Sequence, residues 1–182
     1  LHFQQWIKII ELMGNEWAHD NVHVPFGLVS LEEGTMSTRH GRVVFLEDVL
    51  NRAVDQTREI IKEKGVNTDN IEETARQVGI GAVIFNELSN NRIKDYVFSW
   101  SKVLDFNGET GPYVQYTHAR AASILRRAGE EAAVKALDMA NIDAKYITSP
   151  SAYELAKLVY ELPAVVIDAG EKYEPSIVTR HI

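Results

Sequence analysis

The segment Gly34-Thr35-Met36-Ser37-Thr38-Arg39-His40-Gly41-Arg42 concentrates groups that bind anions. Ser37 and Thr38 carry hydroxyl donors, Arg39 and Arg42 carry positive charge, and His40 lies between them. A strand-like run, Val43, Val44, Phe45 and Leu46, follows directly. A glycine-bounded basic loop of this kind suits an anion. It equally suits an ordinary surface turn, and the segment alone does not decide.

A second group of chemically able residues falls on one helix, 113–128. At 100° per residue, Val114, Thr117, Ala121, Ile124, Leu125 and Ala128 cluster on one side. Tyr113, Tyr116, Arg120, Ser123 and Arg127 cluster roughly 120° away. Unpaired RNA bases stack on aromatic rings, and phosphates pair with guanidinium, so the second stripe suits single-stranded RNA. The same pattern fits a helix whose tyrosines pack under a neighbouring domain while its arginines bridge to acids.

Other signatures are absent. There is no GxxxxGK[ST] loop, no complete GxGxxG, no HExxH and no GxSxG. The six histidines lack metal-ligand spacing, so no metal ligand is assigned. His23, in an apolar stretch, reads as a packing residue, and Glu32–Glu33 as solvated turn surface.

With 45% hydrophobic residues in 182, the chain can bury a real core. A net charge of −7 argues against a protein that coats nucleic acid non-specifically, though not against a local basic site. No cysteine is present, which removes disulfides and thiolate metal sites and fits a reducing, cytoplasmic setting. No apolar run approaches a membrane span, so no membrane partner is expected. Leu1 and the closing Thr-Arg-His-Ile both read as ends cut from something longer.

These residues need elements to position them. Phe3, Trp6, Ile7, Ile10 and Met13 make one helical stripe stopped at Gly14. Residues 21–29 read as a strand leaving into a loop at Pro25 and Gly27. Leu46, Val49, Leu50, Ala53, Val54, Thr57, Ile60 and Ile61 form a clean helical stripe, with Glu47 and Asp48 favourable at its start. Another helix over 71–90 takes Asp69 or Asn70 as its cap, and its Gly79 and Gly81 suggest close packing or a bend. Phe106–Pro112 is the best domain boundary. Helices follow to about residue 162, with Pro163 and Pro175 punctuating the end. The expected fold is mainly α with a small α/β portion.

Two stretches resemble a known family. GPYVQYTHARAASILRRAG (111–129) resembles the opening helix of the anticodon-binding domain of arginyl-tRNA synthetases. VHVPFGLVSLEEGTMSTRHGRVVFLEDVL (22–50) resembles the segment that holds that family's version of the class I Lys-Met-Ser-Lys-Ser loop. NNRIKDYVFSWSKVLDFNGETGPY (90–113) resembles the passage between the two domains. The resemblance runs through essentially the whole chain in the family's order, and Tyr-x-Gln-Tyr-x-His-Ala-Arg is its most specific string.

The resemblance implies a partial Rossmann-type class I catalytic domain with a helical connection over 1–105. A truncated helical anticodon-binding bundle would follow over 106–182. It implies that the loop closes over ATP and stabilises charge developing on pyrophosphate, as a mobile loop of hydroxyls and cations can. Met36, Ser37, Thr38 and Arg39 would then contact ATP, with Ser37, Thr38 and Arg39 acting in catalysis. Both lysines of the general motif are missing here. Arginyl enzymes commonly end this motif Met-Ser-Thr-Arg, which accounts for Thr38, whereas Thr35 is less usual; Arg39 is left as the main local cation. The resemblance also puts Tyr113 and Tyr116 near the anticodon loop, with Arg120 and Arg127 meeting tRNA phosphate or acids at the domain junction.

The implied parent joins arginine to tRNA(Arg) using ATP, with Mg²⁺ accompanying the nucleotide. The family's His-Ile-Gly-His-type signature and its arginine pocket are not among these residues, so the piece by itself is expected to be inactive. Exposed sheet edges and a bare face near 21–46 suggest dimerisation, disorder or strand exchange there. The alternatives are a non-catalytic tRNA-binding or protein-interaction module, and a related class I enzyme of the cysteinyl type.

Overall fold

A computed structural model of the chain describes residues 1–32, 44–65, 68–138, 140 and 143–182. The described residues form eight α-helices, two three-residue strands and two 3-10 turns. In order these are α1 (His2–Leu12), a 3-10 turn (Glu16–Asp20), β1 (Val29–Leu31), α2 (Leu46–Glu63) and α3 (Ile71–Ser89). Then come β2 (Tyr96–Phe98), α4 (Trp100–Val103), α5 (Gly111–Ala128), α6 (Glu130–Leu137), a 3-10 turn (Ala144–Tyr146), α7 (Pro150–Glu171) and α8 (Ser176–His181). The expected fold, mainly helical with a small α/β part, is what forms.

The centre is the α2–α3 pair. The α2 stripe buries Ala53, Thr57 and Ile61, and α3 answers with Ala75, Gly79, Ala82 and Val83. Small residues let the backbones meet: a Cβ on Gly79 would stand 2.8 Å from the carbonyl of Ala53. The buried Thr57 hydroxyl is satisfied by donating to the Ala53 carbonyl, 2.8 Å away. Asn70 caps α3 by accepting from the Glu73 amide at 3.1 Å. The Arg58 guanidinium clips the pair from outside, reaching Glu72 at 2.8 Å and Asp55 at 2.6 Å.

β1 and β2 pair in parallel, Val29 opposite Tyr96 and Leu31 opposite Phe98. A parallel pair needs a long crossover, and α2 and α3 supply it. Phe98, Val103 and Leu104 complete the core against Ala53, Ala82 and Val83. Trp100 closes this side, edge-on to Phe98 at 4.9 Å and covered by the Arg52 guanidinium at 4.5 Å.

Four expectations are corrected. Residues 21–28 form no strand, because Val22, Val24, Phe26 and Leu28 are exposed and pairing starts only at Val29. His23 is exposed rather than packed inside, its ring stacking on Phe3 at 4.0 Å. Of the α1 stripe only Ile10 is buried. Pro163 does not end a helix either: α7 continues through it to Glu171. The proline removes one bond to the carbonyl of Val159, which lies on an exposed stretch where water can replace it. α7 stops instead at Tyr173, in left-handed conformation (φ 51°), where the Glu174 amide donates to Ala169 at 2.9 Å and the Tyr173 amide to Gly170 at 3.2 Å. α8 then turns back onto α3.

Candidate functional site

The start of α5 is fixed firmly. The Thr110 hydroxyl accepts from the Tyr113 amide at 3.3 Å, and Pro112 occupies the first turn. Gly111 and Pro112 are buried where α5 meets α3. Gln115 donates through Nε2 to the Gln77 carbonyl at 3.2 Å. These contacts hold one side of the helix and leave the next side free.

Tyr113 and Tyr116 lie on that free side, 47% and 54% exposed. The Arg120 guanidinium sits 5.6 Å from the centre of the Tyr116 ring, a cation–π contact within α5. Arg127 lies further along the same stripe and is exposed. Among the described residues neither Arg120 nor Arg127 pairs with a carboxylate, and the tyrosines are not packed under a neighbour. α5 has no acidic residue, so Arg120, Arg126 and Arg127 make it locally cationic in a chain of net charge −7. Rings half open to solvent beside free guanidinium groups can stack bases and meet phosphates.

The apolar stripe behaves differently from expectation. Val114 is partly buried, but Thr117, Ala121, Ile124 and Leu125 are exposed. The grip on α5 comes from its first turn and Gln115, not from that stripe. Beside Tyr116 a cavity of about 480 Å³ opens between α2, α3 and α5, lined by Ile61, Val78, Phe106, Pro112 and Gln115 among others. The Gln115 Oε1 atom is buried there without a partner among the described residues.

Met36, Ser37, Thr38 and Arg39, with His40 and Arg42, lie outside the described residues. Their flanks are described. β1 ends at Leu31, pinned opposite Phe98, and α2 begins at Leu46 with Glu47 and Asp48 in its first turn. Among the described residues no three His, Asp or Glu side chains converge on a metal position. No described helix is long and apolar enough to cross a membrane.

One cluster was not visible in the residue pattern. Arg92, in the turn between α3 and β2, donates to the carbonyls of Pro25 at 2.6 Å, Tyr173 at 2.7 Å and Lys172 at 3.3 Å. The Glu174 carboxylate lies 4.0 Å from its Nε. Nothing in Asn-Asn-Arg-Ile-Lys-Asp signals this, because its partners are backbone groups distant in sequence. Burial by itself raises the pKa of Glu174. Hydrogen bonds from Ser176 and the nearby Arg92 outweigh it, and hold the carboxyl below its ordinary value.

Comparison with known proteins adds to this geometry. Residues 1–100 match the family model described as tRNA synthetases class I (R), catalytic domain, and residues 114–182 match the DALR anticodon binding domain. The chain is 59% identical over 182 residues to the arginine–tRNA ligase of Halothermothrix orenii, covering all of this chain and 31% of that protein. It is 54% identical over 180 residues to the arginine–tRNA ligase of Clostridioides difficile, again 31% of its length. The chain thus spans about a third of the curated relatives it matches. The arginyl-tRNA synthetase structure from Thermus thermophilus superposes with a TM-score of 0.76 at 33% identity, over 90% of this chain and 26% of that one. The Plasmodium falciparum arginyl-tRNA synthetase gives 0.71 at 19% identity over 99% of this chain and 30% of that one, a likeness of fold.

Proposed function

Because the chain belongs to the class I tRNA synthetases of the arginyl (R) family, we propose that the complete protein carrying it joins arginine to tRNA(Arg). In that reaction the arginine carboxylate displaces pyrophosphate from ATP, and the arginyl group then passes to the tRNA. This chain's share is the end of the catalytic domain, over 1–105, and the start of the anticodon-binding domain, over 106–182. A cytoplasmic location goes with that role.

The observation that carries the reading is α5. Its tyrosines are held half-exposed by buried anchors at Gly111, Pro112 and Gln115, and Arg120 is stacked beside Tyr116. Tyr113 and Tyr116 would stack unpaired bases of tRNA, while Arg120 and Arg127 would meet its backbone.

ATP supplies the activated phosphate. Ser37, Thr38 and Arg39 are the donors to hold it, with Met36 in the same contact: hydroxyls and a guanidinium suit phosphate oxygens. Mg²⁺ would accompany the nucleotide. The two-stranded sheet leaves one side of each strand unpaired among the described residues, and an isolated 1–182 piece would self-associate along those edges.

The test is amino-acid-dependent exchange between ATP and pyrophosphate by the complete protein, with tRNA present. Exchange with arginine supports the proposal. Exchange with cysteine and not arginine would place it in a different class I enzyme. tRNA binding without any exchange would leave the non-catalytic module.

A further inference from the structure

Arg92 is tied to three places far apart in sequence. Pro25 precedes β1, the strand that leads into residues 33–43. Lys172 and Tyr173 directly follow the last turn of α7, and Arg92 itself lies in the turn before β2. Its guanidinium is one planar fork whose donors cannot be reoriented independently. Three carbonyls bound by one fork therefore have their relative positions fixed together.

The surroundings reinforce the fork from both sides. On the Pro25 side, the Gly27 amide donates to the Arg92 carbonyl at 2.6 Å, and the Leu28 amide to Asp95 Oδ1 at 2.7 Å. Gly27 lies so close to the Lys94 carbonyl that no Cβ fits. On the other side, the Lys172 and Tyr173 carbonyls stand at the negative end of the α7 dipole, where a cation is favourable. Glu174 bonds the Ser176 hydroxyl at 2.6 Å, and Arg180 donates from Nε to the Ser176 carbonyl at 2.9 Å, carrying the tie into α8.

We propose that Arg92 is a positioning residue that clasps the α7–α8 corner of the helical region to the segment feeding β1, so that the tRNA-binding and catalytic regions keep one relative orientation. Its kinetic consequence rests on the function proposed above; the clasp itself does not. A carbonyl cap of α7 alone would need no contact with Pro25. The link to Pro25 makes this a tie between regions and not only a helix end.

The experiment uses the complete protein, as wild type, Arg92→Met and Arg92→Lys. Amide hydrogen exchange is followed in 21–28 and 172–182, and aminoacylation kinetics in tRNA, arginine and ATP. Arg92→Met is expected to speed exchange in both segments together, with α2 and α3 unchanged. Arg92→Lys keeps the charge but not the fork; it is expected to fold and to show the same coupled loosening at smaller amplitude. In the active enzyme KM for tRNA should rise at least five-fold, with KM for arginine and ATP within two-fold. Loosening confined to 172–182 in both variants would reduce Arg92 to a helix cap and overturn the proposal. So would an unchanged KM for tRNA. If wild type fails to charge tRNA with arginine, the function falls while the exchange data still decide the clasp.

Discussion

Gly111 of α5 rests against Gly81 of α3 so closely that a Cβ on Gly111 would stand 2.9 Å from the Gly81 carbonyl oxygen and 3.0 Å from Phe85 Cβ. Through this crossing the geometry of the core is passed to the tyrosines, since Tyr113 follows two residues later. Gly111→Ala is therefore expected to push α5 off α3. It should cost about 1–3 kcal/mol, as overpacking usually does, and weaken tRNA binding as well. Denaturant unfolding midpoints measure the first effect. An alanine variant as stable as wild type would show that α5 is not held at this crossing.

Tyr116→Ala is expected to act on binding and not on folding, because the ring is half exposed, with the Arg120 guanidinium 5.6 Å from its centre. Loss of one stacked base costs about 1–3 kcal/mol. A titration of tRNA against the complete protein should weaken roughly ten-fold or more at constant thermal stability, and Tyr113→Ala should act in the same direction. A fall in stability with unchanged affinity would mean that the ring packs instead of binding.

Arg120→Gln and Arg127→Gln should each flatten the salt dependence of tRNA binding. One phosphate contact contributes about 0.7 to the slope of log affinity against log salt on a single strand. Affinity measured across a salt series reads this directly. An unchanged slope for either variant would assign that arginine to packing on Tyr116 or to the end of α5.

Much of this was legible from residue type and spacing, for identifiable reasons. The α2 stripe and the Asn70 cap follow local rules, periodicity and side-chain capping, that tertiary context did not override. Gly79 and Gly81 announced close approach because glycine inside a helix is unfavourable without one. What could not be read were features set by partners elsewhere. Val22, Val24 and Phe26 alternate like a strand, yet only Val29–Leu31 finds a neighbour. Pro163 looked like a stop because the solvent exposure that tolerates it is not local information. Arg92 binds carbonyls, which leave no trace in residue pattern.

Acid should loosen the α7–α8 corner. Glu174 titrates below the ordinary glutamate value of 4.5, against the effect of its burial, because Ser176 and Arg92 stabilise its charge. The unfolded chain therefore takes up this proton at higher pH than the folded one. The stabilisation is complete above pH 4.5 and is lost as pH falls through the lower folded value. Glu174→Gln should flatten the acid limb of stability against pH, checked by thermal unfolding between neutral pH and pH 3. An unaltered limb would mean that the carboxylate adds nothing to the corner.

In the function proposed above, this chain reads tRNA through α5 on behalf of arginine attachment. The most direct measurement is arginine charging of tRNA(Arg) transcripts by the complete protein, comparing native and substituted anticodon loops in wild type and Tyr116→Ala. Wild type should lose at least ten-fold in kcat/KM when the loop is substituted, and Tyr116→Ala should have lost most of that discrimination already. Equal charging of both transcripts by wild type, or discrimination undiminished in Tyr116→Ala, would contradict it.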